Sequence, residues 1–218
     1  MKLNLLKSIT MLALVMVMVG CKDKANEAET TAAENATEAK ATSVKYMVDA
    51  SSSTIEWTGF KPTGKHNGTL NLESGVFTVN NNALESGSFL LDMNSIVVLD
   101  IPAEEDSNAD LVGHLKNADF FDVENHANAA FDVTGFETKD GKNLLSGNLT
   151  MKGIKHNVTF PVNVTTEGDV LTINSEAFTI DRTKWDIKYK SKSVFGDLGD
   201  KFINDDIELK VTVKAKKS

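Results

Sequence analysis

Apolar and polar residues alternate with a period of two along most of this chain from Tyr46 onward. Val158, Phe160, Val162 and Val164 alternate with Asn157, Thr159, Pro161 and Asn163. Ile207, Leu209, Val211, Val213 and Ala215 alternate with Glu208, Lys210, Thr212, Lys214 and Lys216. Successive side chains of a strand point to opposite sides, so each run predicts a strand with one dry and one wet face. Shorter runs of the same kind lie at 55–57, 70–72, 76–79, 89–96, 131–136, 145–151, 170–173 and 178–180. Asp140-Gly141 and Glu167-Gly168-Asp169 separate neighbouring runs, and glycine supplies the positive φ that tight hairpins need. Hairpin follows hairpin, so neighbours in sequence are expected to be antiparallel neighbours in space.

One segment departs from this pattern. Between Asp110 and Asp119, the residues Leu111, His114, Leu115 and Ala118 fall at i, i+3, i+4 and i+7, a helical face, with Ser107 or Asn108 placed to cap it. One short helix within eight to ten strands predicts an all-β fold, an antiparallel barrel of about eight strands with a helical insertion. Gly59, Gly147 and Gly153 fall in or beside strands, where glycine permits a bulge or corner. Closing the sheet also removes its exposed edges.

The N-terminus reads differently. Lys2 and Lys7 precede an unbroken apolar stretch at 11–19, and Val19-Gly20-Cys21 follows. Charge, apolar stretch and small-residue cleavage site make an export signal, shorter than the roughly 20 apolar residues that span a bilayer. The arrangement resembles a bacterial lipoprotein signal, with Met18 where Leu is usual. It predicts removal of residues 1–20 and lipid on Cys21. Residues 22–43 contain no aromatic and no large aliphatic side chain. Such a segment buries too little apolar surface to offset its ordering entropy, so 21–44 is expected to be a flexible lipidated tether. Residues 45–218 read as one domain.

Charge and chemistry narrow the function. The chain carries 23 basic and 31 acidic residues, for a net charge of −8; without the two lysines of 1–20 the balance is 21 to 31, or −10. That argues against a nucleic-acid partner, which calls for a basic patch. Cys21 is the only cysteine, so no disulfide forms within the chain. His66, His114, His126 and His156 are scattered, unlike the close groupings of metal sites. No serine stands in a Gly-x-Ser-x-Gly elbow, and the glycine-rich stretches lack nucleotide-binding spacing. Asp119 and Asp122 flank Phe120-Phe121 and read as helix-end and turn residues rather than an acid–base pair. Neither an enzyme, a cofactor nor a metal is expected.

Several motifs carry a resemblance. They are Tyr46-Met-Val-Asp49, Ser53-Thr-Ile-Glu-Trp-Thr-Gly59, Gly64-Lys-His-Asn-Gly68 and Asp92-Met-Asn-Ser-Ile96. His114-Leu-Lys-Asn-Ala-Asp-Phe-Phe-Asp-Val123, Ala130-Phe131 and Gly147-Asn-Leu-Thr-Met-Lys-Gly-Ile154 follow, then Asp181-Arg-Thr183, Ile187-Lys-Tyr189 and Leu198-Gly-Asp-Lys201. In order and spacing they resemble the YceI-like family of polyisoprenoid-binding, lipocalin-like extracytoplasmic proteins, over nearly all of 45–214. Two departures are visible: Pro is common in the family where Ala127 or Asn128 stands, and Gly where Asp186 stands. The resemblance implies an extended barrel around a tunnel that holds long isoprenoid chains or similar amphiphiles, with no catalytic set.

A barrel of this size is either filled by side chains or holds one small ligand. The candidate ligand contacts are Trp57, Phe89, His114, Phe120, Phe121, Phe131, Arg182 and Trp185. Each has a plainer role: core packing for the strand aromatics, a satisfied structural histidine at His114, a barrel plug at Phe120 and Phe121, and an ion pair with Asp181 for Arg182. If 182–192 is extended, Trp185, Ile187 and Tyr189 share one face, while Arg182, Lys184, Lys188, Lys190 and Lys192 share the other as a basic rim or solvated surface. Two functions are compatible with these features. One is a lipid-anchored envelope protein that binds a long-chain isoprenoid or quinone-like lipid for sequestration or transport. The other is a filled-core module that presents its loops to an envelope protein partner. Lys22 rather than Asp after Cys21 favours the outer membrane.

Overall fold

A computed structural model describes residues 25–81 and 83–218. The signal segment 1–20 and Cys21 lie outside the described residues. In chain order the strands are β1 (Asn26–Glu27), β2 (Glu29–Ala32), β3 (Val44–Val48), β4 (Thr54–Lys61), β5 (Gly64–Asn80) and β6 (Ala83–Val98). Helix α1 (Asp106–Lys116) follows, then β7 (Asn128–Lys139), β8 (Lys142–Met151), β9 (Ile154–Glu167), β10 (Val170–Ser175), β11 (Phe178–Asp181) and β12 (Asp206–Lys217).

Eight staves close a ring. The order β4–β5–β6–β7–β8–β9–β10–β12 returns to β4, and every pairing in it is antiparallel. Two staves are made of two pieces. β3 continues β4 past a single 3-10 turn at Ala50–Ser52 and pairs with β5 and β12. β11 continues β10 along β12. The all-β barrel with one helical insertion follows from the alternation: Phe89, Leu91 and Met93 on β6, and Val158, Phe160 and Val162 on β9, point inward and are buried.

Some local expectations are corrected. The runs at 70–72 and 76–79 belong to one strand of 17 residues, β5. Register shifts against β6 at Thr69/Asn71 and Leu72/Ser74 change the phase of the alternation, which makes one strand look like two. Helix α1 begins before Asp110 and ends at Lys116, with Glu105 at its N-cap and no side-chain cap bond. Asn108, an expected cap, instead donates Nδ2–H to the carbonyls of Val98 (3.2 Å) and Ile101 (2.8 Å), pinning the helix to the end of β6. Residues 182–192 are not extended. Arg182–Trp185 form a 3-10 turn, and Asp186 has φ +59, so Trp185, Ile187 and Tyr189 share no strand face. A left-handed residue at 186 is where glycine is at ease.

The segment expected to be a tether also differs: residues 26–37 lie on the sheet. β10 parts from β9 beyond Ser175, which leaves an edge on β9 and another on β11. β1 pairs in parallel with β11, and β2 pairs antiparallel with β9, from Glu29 opposite Thr159 to Ala32 opposite His156. Ala28 between them is buried and donates its N–H to Thr179 O at 2.8 Å. The chain then crosses the outside of β8 and β7. Asn148 accepts from the Glu34 N–H (3.0 Å) and donates to the Glu34 carbonyl (2.7 Å), while Thr37 bonds to Val133 O and Thr134 O. Open backbone edges, not side-chain burial, hold this strap.

At Gly68 the strands approach closely. A Cβ there would lie 1.8 Å from Val97 O and 2.7 Å from the Trp57 ring. Gly68→Ala is expected to lower stability by about 2 kcal/mol or more, since overpacking costs about 1–3 kcal/mol. Gly135→Ala, whose Cβ would meet nothing closer than 3.9 Å, is expected to change it by less than about 0.5 kcal/mol. Urea unfolding of the two variants checks the contrast.

Candidate functional site

The inward rows do not fill the ring. Two chambers remain, of about 90 Å³ and about 110 Å³. Ile55, Leu91, Leu149 and Leu209 border both, so the chambers lie end to end with these four side chains between them. The surface that both present inward is apolar, although Ser175 borders the first and Arg182 and Asn204 the second. Water needs polar partners to occupy a cavity, so such chambers are dry. Leaving them empty costs about 24 cal/mol per Å³, or on the order of 5 kcal/mol for the pair, which an apolar guest would recover in part.

Five phenylalanines from five strands ring the first chamber. Phe77 and Phe89 have centroids 4.4 Å apart, Phe89 and Phe131 6.4 Å, Phe131 and Phe160 5.8 Å, and Phe160 and Phe178 stack at 4.2 Å with planes 9° apart. Gly147 makes room for Phe131, because a Cβ there would come within 2.3 Å of its ring. The second chamber is walled by Trp57 and Met93 from the strands, and by Leu115, Phe120 and Phe121 from α1 and the turn after it. Phe120 meets Phe121 edge to face at 5.0 Å.

Arg182 closes this end. Its side chain is fully buried. Nε donates to Asn204 O (3.0 Å), Nη1 to Ile187 O (2.5 Å), and Nη2 to Tyr189 O (3.0 Å) and Ile203 O (3.1 Å). Asp205 Oδ1 stands 3.6 Å from Nη2, and the Phe120 ring lies 5.5 Å from the guanidinium carbon. Desolvation lowers the Arg182 pKa, while the charges of Asp205 and Asp181 oppose that. The expected Arg182–Asp181 ion pair is replaced by Arg182–Asp205. Asp181 turns to cap the 3-10 turn, accepting from Thr183 N–H (2.9 Å) and its hydroxyl (2.7 Å). Arg182 thus ties residues 187–205 over the barrel end, and its donors go to carbonyls of its own chain.

The sequence candidates separate into three groups. Phe89 and Phe131 line the first chamber, and Trp57, Phe120, Phe121 and Arg182 the second. His114 and Trp185 are on neither wall. The His114 ring packs 4.5 Å from Tyr189 and 5.6 Å from Phe120, with Nδ1 3.8 Å from Asp119. Trp185 is fully buried and donates Nε1–H to Leu149 O at 3.0 Å, fixing the strand that carries the shared Leu149. The lysines expected to form a rim have local partners: Lys184 faces Glu27, Lys188 pairs with Asp186, and Lys190 and Lys192 lie over the rings of Tyr189 and Phe202. Among the described residues, no three His, Cys, Asp or Glu side chains gather as a metal-ligand group. The four dividing residues were not singled out from the sequence. Their alternation marks them as inward, but which inward residues border a void depends on stave spacing.

Comparison with known proteins agrees with this architecture. The profile of the YceI-like domain matches residues 46–215. Among solved structures, BcnA of Burkholderia cenocepacia superposes with a TM-score of 0.61 at 19% identity, covering 78% of this chain and 99% of that one. A polyisoprenoid-binding domain from Saccharophagus degradans, implicated in plant cell wall breakdown, gives 0.56 at 12% identity, covering 79% and 98%. A cysteine variant of the Campylobacter jejuni YceI protein gives 0.51 at 16%, covering 66% and 80%. At these identities the likeness is one of fold. No curated protein matches the chain.

Asp205 links the closing loop to pH. Desolvation works against its charged form, but hydrogen bonds from Ser191 and Ser193 and the charge of Arg182 outweigh it, so its pKa is held below the usual carboxylate value. A carboxylate whose pKa falls on folding adds stability above its unfolded pKa of about 3.9, and that stability is lost as pH drops through the lower folded value. Stability in urea is therefore expected to hold from about pH 7 to pH 5 and to fall below about pH 4. The acid-side slope is expected to be shallower in Asp205→Asn; equal slopes would count against the linkage.

Proposed function

The chain belongs to the YceI-like family, and on that footing we propose that it binds the hydrocarbon part of a long-chain isoprenoid or quinone-like lipid along its barrel axis, as a carrier rather than an enzyme. The observation that carries this reading is the pair of dry chambers end to end, separated only by Ile55, Leu91, Leu149 and Leu209. The polyisoprenoid-binding description of the Saccharophagus degradans domain supports it. Burial is worth about 0.8 kcal/mol per CH₂, so a few isoprene units suffice for useful affinity.

Size and polarity shape the ligand. A dry cavity of about 150 Å³ takes one benzene, so each chamber as it stands holds only a few carbons. A long chain must therefore swing the four dividing side chains aside and join the chambers. The apolar walls offer nothing to a polar head, which stays at the barrel surface. In this reading Cys21 carries a lipid that holds the protein at the bacterial envelope, on the outer membrane.

Organic extraction of protein purified from bacterial membranes, followed by mass spectrometry, is expected to release an isoprenoid-type lipid. Leu149→Phe, which narrows the joint, is expected to weaken binding of added geranylgeraniol at least about tenfold, or about 1.4 kcal/mol. Clean extracts from several preparations, with no uptake of geranylgeraniol, would sink the carrier reading. For the anchor, Cys21→Ser is expected to move the protein from the membrane to the soluble fraction. An unchanged distribution would contradict lipidation.

A further inference from the structure

We propose that residues 26–38 form a removable stave: lifting this strap opens the barrel wall between β9 and β11, and the apolar chain passes through that side opening into the first chamber. The inference rests on the carrier reading and adds the route to it.

Among the described residues, the wall changes partners beyond Ser175. Up to Ser175, β9 and β10 pair directly. Beyond it, β11 pairs with β12 on one edge, and residues 156–159 of β9 pair with β8 on one edge. Their other edges are laddered through β1 and β2, with direct ties beside the strap from Glu176 N–H to Pro161 O (3.2 Å) and between His156 Nε2 and Lys184 O (3.0 Å). The remaining staves are bonded strand to strand around the ring. The strap also lies outside the stretch of 46–215 that the YceI-like profile covers.

What lies under the strap is the first chamber. Phe160 of β9 and Phe178 of β11 stack across the gap at 4.2 Å, and both rings line that chamber. Ala28 is the one strap residue that joins the buried apolar core among those described. A single buried methyl group is a small apolar contribution to hold a segment in place. The strap's other attachments are polar: the β1–β11 and β2–β9 ladders, the Ala28 and Thr37 bonds, the Glu34 exchange with the buried Asn148 side chain and the Lys184–Glu27 ion pair at 3.9 Å. Segments with few buried apolar contacts open at low cost relative to the rest of a fold. The helical end, by contrast, is cross-tied by the four Arg182 bonds.

Position gives the strap a second property. Asn26 lies five residues after Cys21, a span of at most about 18 Å when extended. A lipid on Cys21 therefore keeps the seam close to the bilayer and acts on the strap directly. A tail leaving the membrane meets the side of the barrel there.

A disulfide across the seam tests this. Glu29 and Thr159 are directly opposed and face outward, and opposed residues of an antiparallel pair lie within disulfide range. In the full chain with Cys21→Ser, Glu29→Cys and Thr159→Cys, binding and release of cis-parinaric acid are followed by its fluorescence. Oxidation is expected to slow both rates at least about tenfold with little change in affinity, and reduction to restore them. Binding with rates that ignore the disulfide overturns the strap and leaves the carrier reading standing. No binding in either redox state overturns both. Hydrogen exchange on the chain without these changes is independent of any folding defect. The amides of Ala28, Glu34 and Thr37 are expected to exchange at least about a hundredfold faster than those of the β8–β9 ladder, and equal protection would overturn the proposal.

Discussion

Ring closure sets the width of this interior, and the side chains do not match it. An eight-stranded ring has an inside just wide enough for side chains to fill or for one small guest. Here the inward positions are large and apolar, yet two dry voids persist along the axis. A polar lining would have drawn in water; an apolar one leaves unmet dispersion contacts that hydrocarbon can supply. The same closure explains why binding would be graded by tail length. Four aliphatic side chains form the partition, and each can turn without breaking a hydrogen bond.

The two ways of sealing the barrel differ in kind. At the helical end one buried guanidinium gathers carbonyls from residues that no strand pairs, and Asp205 supplies the counter-charge. Removing such a partner would leave a buried charge unmatched, so that end is fixed. Along the side, β10 gives way to β11 and the seam is filled by a chain segment with almost no apolar content. Hydrogen bonds hold it almost entirely, and most of those are nearly balanced by bonds to water when the segment lifts.

Much of the frame was legible because period two is a direct image of a half-buried strand. The alternation in β9 and β12 is unbroken, and the turn at Asp140-Gly141 shows φ of +51 and +76, as a tight hairpin requires. Phe89 and Phe131 were recognisable as inward residues for the same reason. Other features were hidden for identifiable causes. The bulges in β5 shift the phase of its pattern. The partner of Arg182 is Asp205, distant in sequence, rather than the adjacent Asp181. The strap looks free in the sequence because side-chain composition says nothing about vacant edges elsewhere in the sheet. The partition between the chambers involves Ile55, Leu91, Leu149 and Leu209 from four strands, and no local pattern distinguishes them from ordinary core.

Methyl NMR during titration with farnesol addresses the central claim most directly. The account requires the methyl groups of Ile55, Leu91, Leu149 and Leu209 to shift together and to show nuclear Overhauser contacts to the ligand, while the exposed Leu90, Leu99 and Val194 stay still. Shifts confined to the exposed methyls, with the four inner residues unmoved at saturation, would contradict a ligand in the barrel.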